Sequence, residues 1–284
     1  ENQKVIEPSS YGLIIESKLA LSKCPLNTWR ICDFSSFDVR VDNGIFKKEK
    51  RPSGRPFYNP ICVYGFKVNH QIEHIASIMP TPIEIQNIEE IKSKGIFIPP
   101  ILVTQIHIPI QNPHNVMQQL KRDGPGISLV IYFTLSKSAI KELDDMSLAS
   151  PSLKLFNEYC KHSYKDHSWQ SRMKMITSLI PNENSELPPL LIPFNKKPIL
   201  LRDTGVVYKG SNYLEIDVNV QNLNLVAGLG HVGPHILYSK LNEISTQIGF
   251  VVEGRSDNEL PETLCSCIGL NKIVEEELVN FNDA

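Results

Sequence analysis

Two runs of the chain match site motifs, and a third pairs two carboxylates. Gly228-Leu-Gly230-His-Val-Gly233 satisfies the spacing G-x-G-x-x-G. In a dinucleotide loop these glycines let the backbone approach a pyrophosphate at a helix N-terminus. Glu253 follows about 20 residues later, the place of a ribose-binding acid. His70-Gln-Ile-Glu73-His74 satisfies H-x-x-E-H. On a helix its two imidazoles share a face and can hold zinc, with the glutamate as base. His231 and His235 repeat that spacing, but Gly233 and Pro234 interrupt the run. Glu215 and Asp217 stand two residues apart in an alternating segment, so a strand sets both carboxylates on one face, about 7 Å apart. Paired carboxylates can do acid–base work.

The surroundings weigh against cofactor chemistry. Too little chain follows Glu253 to complete a Rossmann sheet, and nothing upstream alternates strand and helix. The glycine run is expected to be a small-residue helix packed on a sheet. His70–Met79 reads as a short helix, stopped by Pro80 and Pro82, with no third metal ligand in view. No G-x-S-x-G elbow and no Walker A loop is present. The expectation is a non-enzyme with no catalytic residues, no metal and no cofactor. Glu215 and Asp217 are expected to form a structural or headgroup-orienting charge network, pairing with Arg172 and Lys174 across the sheet or through Arg40.

Along the chain, Phe37–Val41 alternates and reads as a strand. Phe46–Arg55, basic and broken by Pro52 and Gly54, reads as a loop. Ile61–Val68 and Ile101–Ile108 read as strands. Ile127–Leu135 is almost continuously apolar, as in a central strand covered on both faces. Ser136–Met146 reads as a helix. Ser150-Pro151 starts another, because serine caps and proline fits the first turn. That helix should bury Leu153, Phe156, Tyr159 and Cys160. From Trp169 to Thr177, Trp169, Met173 and Met175 face one way, Arg172 and Lys174 the other. A proline-rich loop spans 181–198. Tyr213–Val220 and Gln247–Glu253 read as strands, and Asn258-Glu-Leu-Pro261 as the start of a last helix. Strands do not alternate regularly with helices. The expected fold is α+β, one domain over 1–284, with a largely antiparallel curved sheet and helices packed on it.

The composition is that of a globular protein, 41% apolar and 21% charged. A formal charge of −2 gives no global pull toward nucleic acid, so any anion site must be local. Six scattered cysteines fit neither a disulfide framework nor zinc knuckles, and Cys265-x-Cys267 reads as two buried thiols near a helix. No asparagine lies in a glycosylation sequon and no apolar run reaches membrane-span length. There is no signal-peptide core and no initiator methionine. The chain is expected to be a cytoplasmic piece, the C-terminal part of a longer protein.

Asn212-Tyr-Leu-Glu-Ile-Asp-Val218, Gly249-Phe-Val-Val-Glu-Gly254 and Glu259-Leu-Pro-Glu262 resemble the plant Enhanced Disease Resistance 2 C-terminal domain family. Phe37-Asp-Val-Arg40 resembles its opening segment, Lys47–Ser53 its Lys-x-Pro-Ser stretch, and Ser171-Arg-Met-Lys174 its Arg-x-Lys strand. The resemblance spans about 29–275. It implies a partnership with START and PH domains in the same chain, and hence work at membranes; it carries over no catalytic residues. The expected function is a lipid-binding or peripheral membrane module, with a protein-interaction module regulating attached lipid-binding domains as the first alternative and an NAD- or zinc-dependent enzyme as the last. The expected partner is a lipid or anionic, phosphoinositide-bearing surface rather than nucleic acid. An anionic headgroup would be held by Arg40, Lys47, Lys50, Arg172 and Lys174. Leu187-Pro-Pro-Leu-Leu-Ile-Pro-Phe194, followed by Lys196 and Lys197, is expected to dip into a bilayer edge or to cover a lipid cavity.

Overall fold

The strand Gly126–Leu135 shows why this sheet needs cover on both sides. Nine of its ten residues are buried, including Ile127, Val130, Ile131 and Phe133 at 0% exposure. A strand apolar on both faces must lie between two layers. The computed structural model describes residues 13–19, 23, 25–41, 49–79, 82, 95–110, 124–182, 185–202, 204–220 and 232–281.

In chain order the strands are β1 (Leu13–Glu16), β2 (Thr28–Arg30), β3 (Asp38–Arg40), β4 (Lys50–Pro52), β5 (Tyr58–Val68), β6 (Ile101–Pro109), β7 (Gly126–Leu135), β8 (Met173–Pro181), β9 (Pro198–Leu200), β10 (Gly205–Lys209), β11 (Tyr213–Asn219), β12 (Ile244–Val252), β13 (Leu264–Asn271) and β14 (Val279–Asn280). The helices are α1 (Lys137–Leu143), α2 (Pro151–His162), α3 (His167–Gln170) and α4 (Val232–Ser239). The main sheet is mixed and strongly curved, close to a half-barrel, so the fold is mostly sheet with some helices. Its order is β10-β11-β6-β7-β5-β1-β2-β13-β12-β8-β9, with β14 also on β5. We refer to β10 through β1 as the first wing and β2 through β9 as the second. They join where β1 and β2 run parallel. β11·β6 and β14·β5 are also parallel, which makes the sheet mixed.

Local chemistry places α2 as its residues demand. Ser150 caps it by accepting from Leu153 N, Pro151 takes the first turn, and Leu153, Phe156, Tyr159 and Cys160 are fully buried. Phe156 packs on Phe57 and Tyr58 in the main core. Gly249 in β12 has no room for a side chain: a Cβ there would lie 2.8 Å from Leu264 Cδ2 and 3.1 Å from Phe37 Cε1.

Four expected elements differ. Within Phe46–Arg55 the described part contains β4, paired with β3. His70–Met79 holds only one 3-10 turn, Ile75–Ser77, preceded by His74 in the left-handed region at φ 51°. The chain after Trp169 is first helical and becomes a strand only at Met173. After Pro261 the chain forms β13 rather than a helix, because its side chains are taken up on both faces: Leu264 and Cys267 enter one apolar cluster, Cys265 and Ile268 another. A register shift opposite Phe250 and Val251 sends the two cysteines to opposite faces.

Candidate functional site

Three groups of residues carry chemistry. The first is an ionic cluster at the second wing. Arg40 projects from β3, Lys174 from β8, and Glu262 precedes β13. Glu262, 3% exposed, receives Lys174 Nζ at 2.7 Å on both oxygens, Arg40 Nε at 3.0 Å and Gly254 N at 3.0 Å. Burial pushes the Glu262 carboxyl up, but Lys174 and Arg40 outweigh it and hold it below the usual range. Lys174 is drawn down by its burial, against the pull of Glu262. Beside them Arg172 pairs with Glu259, donates from Nε to Glu253 O at 3.0 Å, and stacks on Trp169 at 4.6 Å.

Arg40, Lys50 and Lys174 do come together, around a recess of about 230 Å³ that Asp38, Glu253 and Glu262 also line. Three cations face three carboxylates there, so the recess has no net positive charge. Lys47 lies outside the described residues.

The second group is the acid pair. Glu215 and Asp217 are 0% and 1% exposed. Their expected pairing with Arg172, Lys174 or Arg40 does not form, since those cations sit at the other wing with Glu259 and Glu262. The segment 70–79 crosses their face of the sheet, and its backbone supplies the donors. His74 N donates to Asp217 Oδ2 at 3.0 Å and Ala76 N to Glu215 at 3.2 Å. The left-handed His74 turns these N–H groups onto the carboxylates. Its ring stacks on Tyr208 at 4.6 Å and its Nε2 lies 2.8 Å from Tyr213 Oη. Burial raises Glu215 to about 7, and burial together with Glu215 raises Asp217 well above its usual range. The two carboxyls therefore keep a proton between them near neutrality.

The zinc motif fails on geometry, because His70 and His74 do not share a helix. Of the glycine run, 228–231 lie outside the described residues. β12 after it is antiparallel to both neighbours, so among the described residues no strand–helix–parallel-strand unit surrounds it. Glu253 is bound to Arg255 at 2.9 Å.

The third group is an apolar cavity of about 80 Å³ between the wings. Ile106 and Leu129 line it from the first wing, Met175, Leu179 and Ile248 from the second. Leu191 and Phe194 of the proline-rich loop, with Leu237 of α4, close it. The loop is fixed at one end, where Asn195 bonds Leu179 N at 2.8 Å and Leu179 O at 3.2 Å, and Lys196 N reaches Thr177 O at 2.8 Å. Its outer side leaves Leu190 38% and Ile192 57% exposed.

The family described as Protein ENHANCED DISEASE RESISTANCE 2, C-terminal, matches residues 29–274. The chain belongs to this family. No solved structure matches it. The segments that carry the family resemblance fall into the first two groups. Phe37–Arg40, Ser171–Lys174 and Glu259–Glu262 converge on the ionic cluster, while Asn212–Val218 holds the acid pair. In Glu259-Leu-Pro-Glu262 each glutamate anchors a different cation set. Sequence reasoning found these residues but matched them wrongly, and it missed the cavity walls altogether. Thr177 and Leu179, alternating with Ser178 in β8, were the readable signal for one wall.

Proposed function

We propose that this chain is a non-enzymatic lipid-binding module that works at a membrane surface. The cavity supports this most: its walls are apolar, and its cover is a loop whose outer side is also apolar. At about 30 Å³ for each water-sized group, its 80 Å³ takes roughly three, enough for the end of an acyl chain. Lys196 and Lys197 follow the exposed tip, and β9 begins directly after them. Lys50, exposed on β4, shares a recess with Pro198 and Leu200 of β9. Apolar tip and lysines thus sit along one edge of the second wing. Each lysine near an anionic leaflet contributes about 1 kcal/mol. Arg40, Arg172 and Lys174 are committed to Glu259 and Glu262, so headgroup contact falls to Lys50, Lys196 and Lys197.

Co-sedimentation at low salt tests this directly. The chain should pellet with vesicles containing phosphatidylserine or phosphoinositide and remain in solution with neutral ones. Leu190→Asp with Ile192→Asp should abolish pelleting while leaving the fold intact. Absence of pelleting by the wild-type chain would overturn the membrane role. The second reading, a protein-interaction module regulating attached lipid-binding domains, draws on a different surface. Leu148 is 84% and Ile140 45% exposed around α1. Vesicle binding unchanged by the loop substitutions, but partner binding lost on Leu148→Asp, would favour that role instead.

A further inference from the structure

We infer that the cavity takes a single-chain amphiphile with an anionic headgroup, and that Lys272 binds that headgroup; this rests on the lipid-binding function proposed above. Among the described residues, Lys272 is the one charged side chain lining the cavity, where Thr177 and Thr246 are the other polar ones. A lysine beside apolar walls lays its stem along them and keeps its ammonium at the rim. Among the described residues this ammonium has no carboxylate partner. The contrast with Arg40, Arg172 and Lys174 is complete, since each of those is neutralised by a glutamate.

The backbone holds Lys272 in place at some conformational cost. Its φ is 45°, in the left-handed region that a lysine rarely adopts. Asn27, itself at φ 49°, locks the corner. Asn27 N donates to Lys272 O at 3.2 Å, and Asn27 Oδ1 accepts from Val274 N at 2.8 Å. Non-glycine residues held in this conformation by their surroundings cluster at ligand clamps. The end of β13 thus sets a lysine with a fixed backbone, and with no carboxylate partner among the described residues, beside an apolar space too small for two chains. A carboxylate and a phosphate monoester on one alkyl chain share the chemistry this calls for.

The test uses the full chain freed of lipid on a hydrophobic resin, titrated calorimetrically with dodecanoate, dodecyl phosphate and dodecanol. At least one of the two anions should bind about tenfold or more tighter than the alcohol, the worth of one charge-assisted contact. Which anion prevails identifies the headgroup. Lys272→Gly, suited to the left-handed backbone, should remove the preference while dodecanol binding persists, and Lys272→Arg should retain it. Ile248→Trp, which fills the cavity, should eliminate all three ligands. Equal binding of anions and alcohol by the wild-type chain, still abolished by Ile248→Trp, would overturn the role of Lys272 and leave the cavity as the lipid site. Binding of none of the three would overturn both.

Discussion

Glu262 and Glu215 are both buried glutamates facing the sheet, at 3% and 0% exposure, yet their carboxyls shift in opposite directions. Burial raises both. Glu262 ends low because Lys174 and Arg40 close on it. Glu215 ends at about 7 because burial prevails: it has no such cation closing on it, and its hydrogen bonds from Asp217 and backbone N–H groups lower it by less. Burial alone therefore does not tell whether an acid is a charge or a proton store; its partners do.

Breaking the paired side should have the largest effect. Glu262→Gln leaves the buried Lys174 and the half-buried Arg40 without their counter-ion, which costs about 3–5 kcal/mol. A urea denaturation midpoint should fall accordingly. Little change would mean that water already reaches the cluster.

The acid pair should respond next, and with opposite sign in pH. A carboxyl raised from 4.5 to about 7 on folding binds more protons in the folded state across that window. Its stabilising effect is complete below 4.5 and is lost as pH rises through 7, by about 3 kcal/mol for one such group. Asp217 shifts the same way. Glu262, lowered on folding, contributes above 4.5 and loses its contribution as pH falls. Denaturation from pH 5 to pH 8 should show stability declining, and the double variant Glu215→Gln, Asp217→Asn should remove most of that decline. A slope unaltered in the double variant would place the titration elsewhere.

Arg172→Ala removes one ion pair and the stack on Trp169, with a smaller loss of about 1–2 kcal/mol in thermal unfolding. The smallest effect should be chemical silence. Cys160 and Cys265, buried and pushed up, the latter to about 12, should resist iodoacetamide in the folded chain and react in guanidinium, as read by mass.

The same contrast explains how much was legible in the sequence. Periodicity and capping are local, so β7, β11 and the start of α2 could be read directly. The polar positions of β11 carry the same alternation whether water or another layer covers them. Among the described residues it is segment 70–79, distant in sequence, that crosses Glu215 and Asp217 and bonds them. Likewise, Arg172 and Lys174 clearly shared a face, but their glutamates come from a turn after β12. The predicted last helix failed for a related reason. Asn258–Pro261 does resemble a helix start, but the chain forms only the 3-10 turn Asp257–Glu259 there. Tertiary contacts on both faces then draw Leu264–Asn271 into the sheet as β13.

The order of the strands also governs when the sheet can form. The chain passes between the wings repeatedly, and β2, near its beginning, finds its antiparallel partner only in β13, with Arg30 against Gly269. During synthesis β2 can pair with β1 on one edge, but its other edge must wait until almost the whole described chain has emerged. The β2·β13 pairing cannot be an early folding nucleus, because closing so long a loop precedes any return from the contact. A nascent chain that stalls short of β13 would expose the unpaired edges of β2 and β12, and β13 thus decides whether these earlier strands are safe from aggregation.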